Sequence, residues 1–504
     1  MSGGDFAAVE PEAVSKEASE TERLAGAWAQ AQPVAPKADV GAMAVPSPQA
    51  RLSACTKKLE RAHQLFSVQS AATETESYAA EWFLDNYYMI REAVRQVIQD
   101  LPLDYFRRLP RLAAGAELAG SPRAYALALE LLKDCGGRVD SGRMLELIEA
   151  YQHSAPLTMG ELWALPSLVR LALLEWLSDA AEEITAASPA EEARPERKHA
   201  KQRVADCVVG LRNVKTADWA EFFEAASLSD RELRKDASGD YANMTFKTRD
   251  RYRKVVERLA ARSDADELAV AREAVRLSVA AAADPGSRPR TRHVGYYLID
   301  SGVEDLERAF SYRRSNSERL TAWVLAHPTF VYLGSVAVVG AALMLWGLAY
   351  AGSHGAGWWL VLIAGLLMLV PALTVAVAVV NYSVSHLLSP RLLPKLDFRK
   401  GIPAGNRTAV VMPVLFGSRE EVDELVSQLE RHYLGNPDPQ LSYALLSDFP
   451  DADSATLPGD ADILEHARQR IDALNAKYGQ PSPRIHAGSN EARPRPFHLL
   501  HRGR

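Results

Sequence analysis

Two stretches of the chain carry no charge on any face. TFVYLGSVAVVGAALMLWGLAY runs from Thr329 to Tyr350, and WWLVLIAGLLMLVPALTVAVAVV from Trp358 to Val380. Each offers about 20 uncharged positions, enough to cross a hydrocarbon core about 30 Å thick. Such a pair can also form buried helices of a soluble core, but soluble helices rarely stay uncharged all round for this long. The pattern therefore predicts a transmembrane hairpin over residues 327–388, with spans at about 329–350 and 358–380. Pro371 is expected to kink the second span. Trp358 and Trp359 stand at its mouth, where amphipathic rings favour the headgroup region.

Upstream, the period is that of helices. Apolar residues recur at three and four spacing in EWFLDNYYMIREAVRQVI and in PRAYALALELLKDC, where Gly136 and Gly137 follow as a stop. Asp140 and Thr158 are expected helix starts, Thr158 with Glu161 as capping-box partner. Residues 71–326 thus read as an all-helical cytosolic domain. Residues 1–70, whose first part is rich in Ala, Pro, Glu and Ser, read as disordered or weakly helical.

After the hairpin the period shortens. RTAVVMPVLF is a strand, Ser418 caps the helix SREEVDELVSQLERHYLG with Glu421 as its box partner, and LSYALLSDF is a second strand. Val422, Leu425 and Leu429 form that helix's expected buried stripe. A strand, helix, strand unit is most simply a crossover in a parallel sheet. In such sheets ligands lie at the carboxyl ends of the strands. Pro413 to Gly417 occupy that end of the first strand and Asp448 that of the second, followed by Asp451 and Asp453. Position alone leaves two readings open: an acidic turn, or a nucleotide or metal site.

Charge and cysteine content narrow the class. A net charge of −6 argues against general nucleic-acid binding. Cys55, Cys135 and Cys207 lie far apart with no CxxC, so they read as reduced thiols and not as a zinc site or disulfide frame. MSGGDFAAVEPEAVSKEASETE has acids where a signal peptide has bases. The loop AGSHGAG between the spans lacks Lys and Arg, whereas RPRTRH, SYRRSNSERL, Arg391, Lys395, Arg399 and Lys400 flank the hairpin. The positive-inside rule then puts both flanks, and both termini, in the cytoplasm. In the helical region Glu81, Asp85, Tyr87, Tyr88, Glu161 and Trp163 are candidates for a polar site or for half-buried packing. None has the spacing of a nucleophile, a metal site or a phosphate loop, so the domain reads as scaffold.

RTAVVMPVLF, SREEVDELVSQLERHYLGNPDPQLSYALLSDFPDADSATLPGD and ALNAKYG resemble the start of the glycosyltransferase domain of cyclic β-1,2-glucan synthases. AAEWFLDNYYMIREAVRQVIQDLP, YFRRLPRLA, SPRAYALALELL, PLTMGELWALPSLVRLALLE and RPRTRHVGYYLIDSG resemble that family's amino-terminal cytosolic region. The resemblance implies a bacterial inner-membrane, multi-pass enzyme that polymerises glucose from UDP-glucose, with a divalent cation, into periplasmic cyclic glucan. It implies a fold that is mainly α with a transmembrane helical hairpin, followed by the beginning of an α/β GT-A-like nucleotide-sugar transferase domain over residues 400–504. Asp448 would contact the uridine part, and Pro413 and Val414 would cradle the base. Asp451 and Asp453 match less well.

The family's metal-binding acids, catalytic base and acceptor motif would follow a segment like FHLLHR, with which this chain ends. The chain is therefore expected to be the amino-terminal part of a synthase, to hold no catalytic residue or metal ligand of its own, and to be inactive alone. The alternative is a membrane-anchored scaffold or sensor without sugar-nucleotide affinity. Self-association is left open.

Overall fold

The computed structural model describes residues 11–35, 47–72, 78–186, 195–388, 390, 392–478 and 495–503. The chain divides into two units, Met1–Lys395 and Leu396–Arg504. It is mainly helical, with a single three-stranded parallel sheet among the described residues.

Residues 1–70 were expected to be disordered or weakly helical, and the described part of that segment is helical. It forms α1 (Pro11–Ala31) and α2 (Pro48–Ala72). In α2, Leu52, Cys55, Leu59, Ala62 and Phe66 recur at three and four spacing and are all buried. That stripe is narrow and set among Lys, Arg, Gln and Ser, so average composition hid it. Thr21 of α1 accepts a hydrogen bond from Arg143 Nη1 at 2.8 Å, and Ala35 pairs with Arg111 at 2.8 Å.

EWFLDNYYMIREAVRQVI is not one helix. It divides at Asn86 into Tyr78–Asp85 and Tyr87–Asp100, where the Asn86 side-chain amide and backbone N–H both donate to Trp82 O, at 2.8 and 3.3 Å. Helix α3 (Arg123–Asp134) stops at Gly136 and Gly137, whose φ values of 58° and 84° suit glycine. Asp140 caps α4 (Ser141–Ser154), accepting from Gly142 N and Arg143 N. Helix α5 (Met159–Ala186) is the central element and is buried along most of its length, and α6 (Pro195–Thr216) packs on it. The predicted capping box is present: Thr158 Oγ1 accepts from Glu161 N at 3.2 Å, and Glu161 Oε2 from Thr158 N at 2.9 Å.

Helices α7 (Trp219–Ala226) and α8 (Phe246–Ala261), with Asp230 and Tyr241 of the segment between them, carry a buried ionic network, and α9 (Glu267–Ala283) follows. Arg253 Nη1 donates to Asp230 at 2.8 Å, Tyr241 OH to the same carboxylate at 2.7 Å, and Arg249 pairs with Glu224 at 2.6 Å. Phe223 and Phe246 flank the Arg253 guanidinium at 4.9 and 4.8 Å, so its remaining N–H groups face ring faces in place of acceptors.

After α10 (Asn316–Ala326) come two helices long and apolar enough to cross a membrane, α11 (Pro328–Ser353) and α12 (Trp358–Leu387). Each extends beyond the expected span, and both are mostly exposed. They pack on each other where side chains are small: Gly340 on one side, Ala372, Ala376 and Val380 on the other are buried. Tyr332 OH donates to Asn381 Oδ1 at 2.9 Å across the pair. Beyond α12 the chain returns to α8, where Arg251 Nη1 donates to Leu392 O at 2.7 Å and Lys395 O accepts from Thr245 N at 2.8 Å.

The second unit contains β1 (Thr408–Leu415), α13 (Arg419–Gly435), β2 (Leu441–Asp448), α14 (Asp460–Tyr478) and β3 (Phe497–His501). The strands are parallel in the order β1-β2-β3. Both helices pack on one face, where Val422, Val426 and Leu429 of α13 and Ala467, Ile471 and Leu474 of α14 bury Tyr443, Leu445 and Phe497. Val426 takes the central place expected of Leu425, which is only half-buried. Ser418 caps α13 at 3.2 Å as expected, but Glu421 turns its carboxylate to Gly417 N at 3.0 Å and so does not close the box.

Candidate functional site

The carboxyl ends of the three strands lie side by side. The register pairs Leu415 with Asp448, and the ladder extends one step further through Phe416 N to Asp448 O at 2.9 Å. On the other side Arg502 N donates to Ser447 O at 2.9 Å, which brings the residue after β3 to the same rim. A cavity of about 340 Å³ opens there, lined by Pro413, Val414, Leu415, Leu446, Asp448 and Arg502 together with Ser447. That volume is at the small end of ligand pockets.

Strand alternation divides the labour. Pro413 and Leu446 sit in register on the exposed face, while Val414 and Ser447 turn toward the helices. Asp448 is half-buried. Its Oδ1 accepts from Phe449 N at 2.8 Å, which fixes the carboxylate and leaves Oδ2 with no hydrogen bond among the described residues. Ser447 Oγ meets His501 Nδ1 at 2.9 Å, and the His501 ring lies edge-on to Phe449 at 4.7 Å. The arrangement offers a flat apolar wall, one carboxylate able to accept from an N–H or hydroxyl, and one guanidinium suited to a phosphate.

All three residues expected at the site, Asp448, Pro413 and Val414, line the cavity. Asp451 and Asp453 do not; both stand exposed on the following turn. Among the described residues no group of three or more His, Cys, Asp or Glu is placed to hold a metal ion. Arg502 was missed. The rule that singles out Asp448, a polar residue at a strand's carboxyl end, applies equally to Arg502 after β3.

The helical candidates do not converge. Glu81, Asp85 and Tyr88 are exposed, and Tyr87 stacks on His63 at 3.9 Å. Glu161 is buried against Arg123 at 2.6 Å, and Trp163 stacks on Phe223 at 4.3 Å. Burial pushes the thiols of Cys55 and Cys207 up, to about 11 and about 12, so both stay protonated and unreactive.

No family model matches the chain. It is 28% identical over 528 residues to the cyclic beta-(1,2)-glucan synthase NdvB of Rhizobium meliloti (strain 1021), an alignment that takes in 89% of this chain and 18% of that protein. The chain thus spans less than a fifth of its relative's length. Over most of its length the chain is thus similar to a cyclic β-(1,2)-glucan synthase.

Proposed function

We propose that this chain is the amino-terminal portion of a membrane glucosyltransferase, and that its sheet begins a GT-A-type domain whose rim cavity holds the uridine of UDP-glucose. The observation that carries the reading is the meeting of Pro413, Val414 and Asp448 in one cavity at the strand ends of a glucan-synthase relative. On this reading the base lies against Pro413 and Leu446, the free Asp448 oxygen accepts its N–H, and Arg502 pairs with the proximal phosphate. A divalent cation would offset the diphosphate's charge. Among the described residues no group of three or more His, Cys, Asp or Glu is placed to hold that cation.

The hairpin is read as membrane-spanning in the bacterial inner membrane, with both flanks cytoplasmic. The return of Leu392 and Lys395 to α8 supports this, because both sides of the hairpin then attach to the same helical domain. A cytoplasmic donor site beside membrane helices suits a polymer that leaves for the periplasm.

The test is UDP-glucose binding to the detergent-solubilised full chain, with and without magnesium, beside Asp448→Ala. Saturable binding that the variant loses is the expected result. A folded chain that binds no UDP, or a variant that binds as well as the parent, would refute the assignment of the cavity.

A further inference from the structure

Helix α10 is exposed along nearly its whole length. Only Glu318 and Val324 are half-buried between Asn316 and Ala326. Leu320 is 63% exposed and Trp323 49%, and with Val324 they recur at three and four spacing along one stripe. An isolated helix of 11 residues is marginal in water, and this one sets its apolar stripe into solvent.

Its first turn is nevertheless built to stay folded. Ser315 and Glu318 form a complete capping box. The Glu318 carboxylate also accepts from Arg262 Nη1 at 2.8 Å and Tyr312 OH at 2.9 Å, which ties the amino-terminal end to the helical domain. The other end runs directly into the first apolar span through His327, whose non-helical backbone (φ −124°, ψ 53°) breaks the axis before Pro328. The His327 ring lies against Trp323 at 5.4 Å. An apolar stripe bearing a Trp, beside Arg319 and covalently continuous with a membrane span, has one partner always within reach.

We propose that Asn316–Ala326 is an interfacial helix, seated in the headgroup layer with Leu320, Trp323 and Val324 toward the acyl chains and Arg319 among lipid phosphates. Together with the Glu318 tether it fixes the height of the helical domain above the bilayer. This inference rests on the membrane reading of the hairpin, and the experiment separates the two.

The full chain is reconstituted in vesicles of mixed zwitterionic and anionic lipid brominated either near the headgroup or deep in the acyl chain. Subtracting the emission of Trp323→Phe from that of the parent isolates Trp323. The same subtraction with Trp346→Phe reports on the last third of α11, inside the far end of the span. Trp323 emission is expected to be blue-shifted and lost chiefly to shallow bromine, and Trp346 emission to be blue-shifted and quenched by acyl-chain bromine. Trp346 quenched with Trp323 untouched would overturn the interfacial helix and point to water or a protein partner on that stripe. Neither quenched would overturn the membrane reading itself.

Discussion

The stability of the helical unit should fall as pH rises through neutrality, and Glu267 is the reason. Glu267 opens α9, and its Oε2 accepts the backbone N–H of Met159, the first residue of α5, at 2.7 Å. Burial pushes its carboxyl up to about 7, the Met159 N–H opposes this, and the neighbouring acids Glu257, Glu161 and Asp266 add to the rise. An unfolded chain has its glutamates near 4.5. Between these values the folded state holds a proton that the unfolded state has released. Stability is therefore greatest below the unfolded value and is lost as pH rises toward the folded one. Each pH unit in that window is worth about 1.4 kcal/mol, which sets a ceiling of about 3 kcal/mol above neutrality. Glu267→Gln keeps an oxygen acceptor for Met159 N–H and removes the ionisation. The variant should match the parent at about pH 5 and exceed it by about 1–3 kcal/mol at about pH 8. Thermal unfolding of the full chain in detergent, followed by tryptophan emission at fixed scan rate, would show this as a midpoint raised by several degrees at the higher pH only. Parent and variant running parallel across the window would refute the argument.

Arg123 and Glu161 form a buried bidentate pair, with Nε at 2.8 Å and Nη2 at 2.6 Å from the carboxylate. Arg123→Met strands the charge and should cost about 3–5 kcal/mol, while the double variant with Glu161→Leu should lose less than the two single changes together, in a thermal double-mutant cycle. Gly210 of α6 meets the turn after α3 so closely that a Cβ there would lie 2.1 Å from Gly137 O. Gly210→Ala is expected to prevent correct docking of α6, read as loss of the cooperative unfolding transition, whereas Gly136→Asn, at a left-handed position with open space, should be tolerated.

Patterns with a full period were legible from the residues alone: the two uncharged spans, the Asp140 and Thr158 helix starts, and the strand, helix, strand order with Asp448 at its end. What escaped notice depended on partners distant in sequence. The stripe of α2 is meaningful only once α5 lies against it. Arg502 becomes a cavity residue only when β3 aligns beside β2, 53 positions from Ser447 to Leu500 in the chain. Glu161 was legible as a cap, but its buried guanidinium partner lies 38 residues upstream and no local spacing announces it.

The sheet bears a final consequence. Parallel strands normally carry helices on both faces, yet α13 and α14 lie on one. On the other, Pro413, Leu446 and Leu500 stand in register as an apolar row, with Leu446 44% and Leu500 50% exposed. The cavity is the upper end of this same face. Leu446→Lys should therefore leave the stability of the second unit within about 0.5 kcal/mol, as at other open surface sites, and should reduce self-association of the detergent-solubilised chain by charging the apolar row. Leu445→Lys, one residue earlier and fully buried under the helices, should unfold the unit, because a lone ammonium in an apolar core has no partner. The two adjacent substitutions thus read the two faces separately. If Leu446→Lys proved as damaging as Leu445→Lys, the open face would be covered in solution, and the cavity at its rim would be deeper than these strands alone can make it.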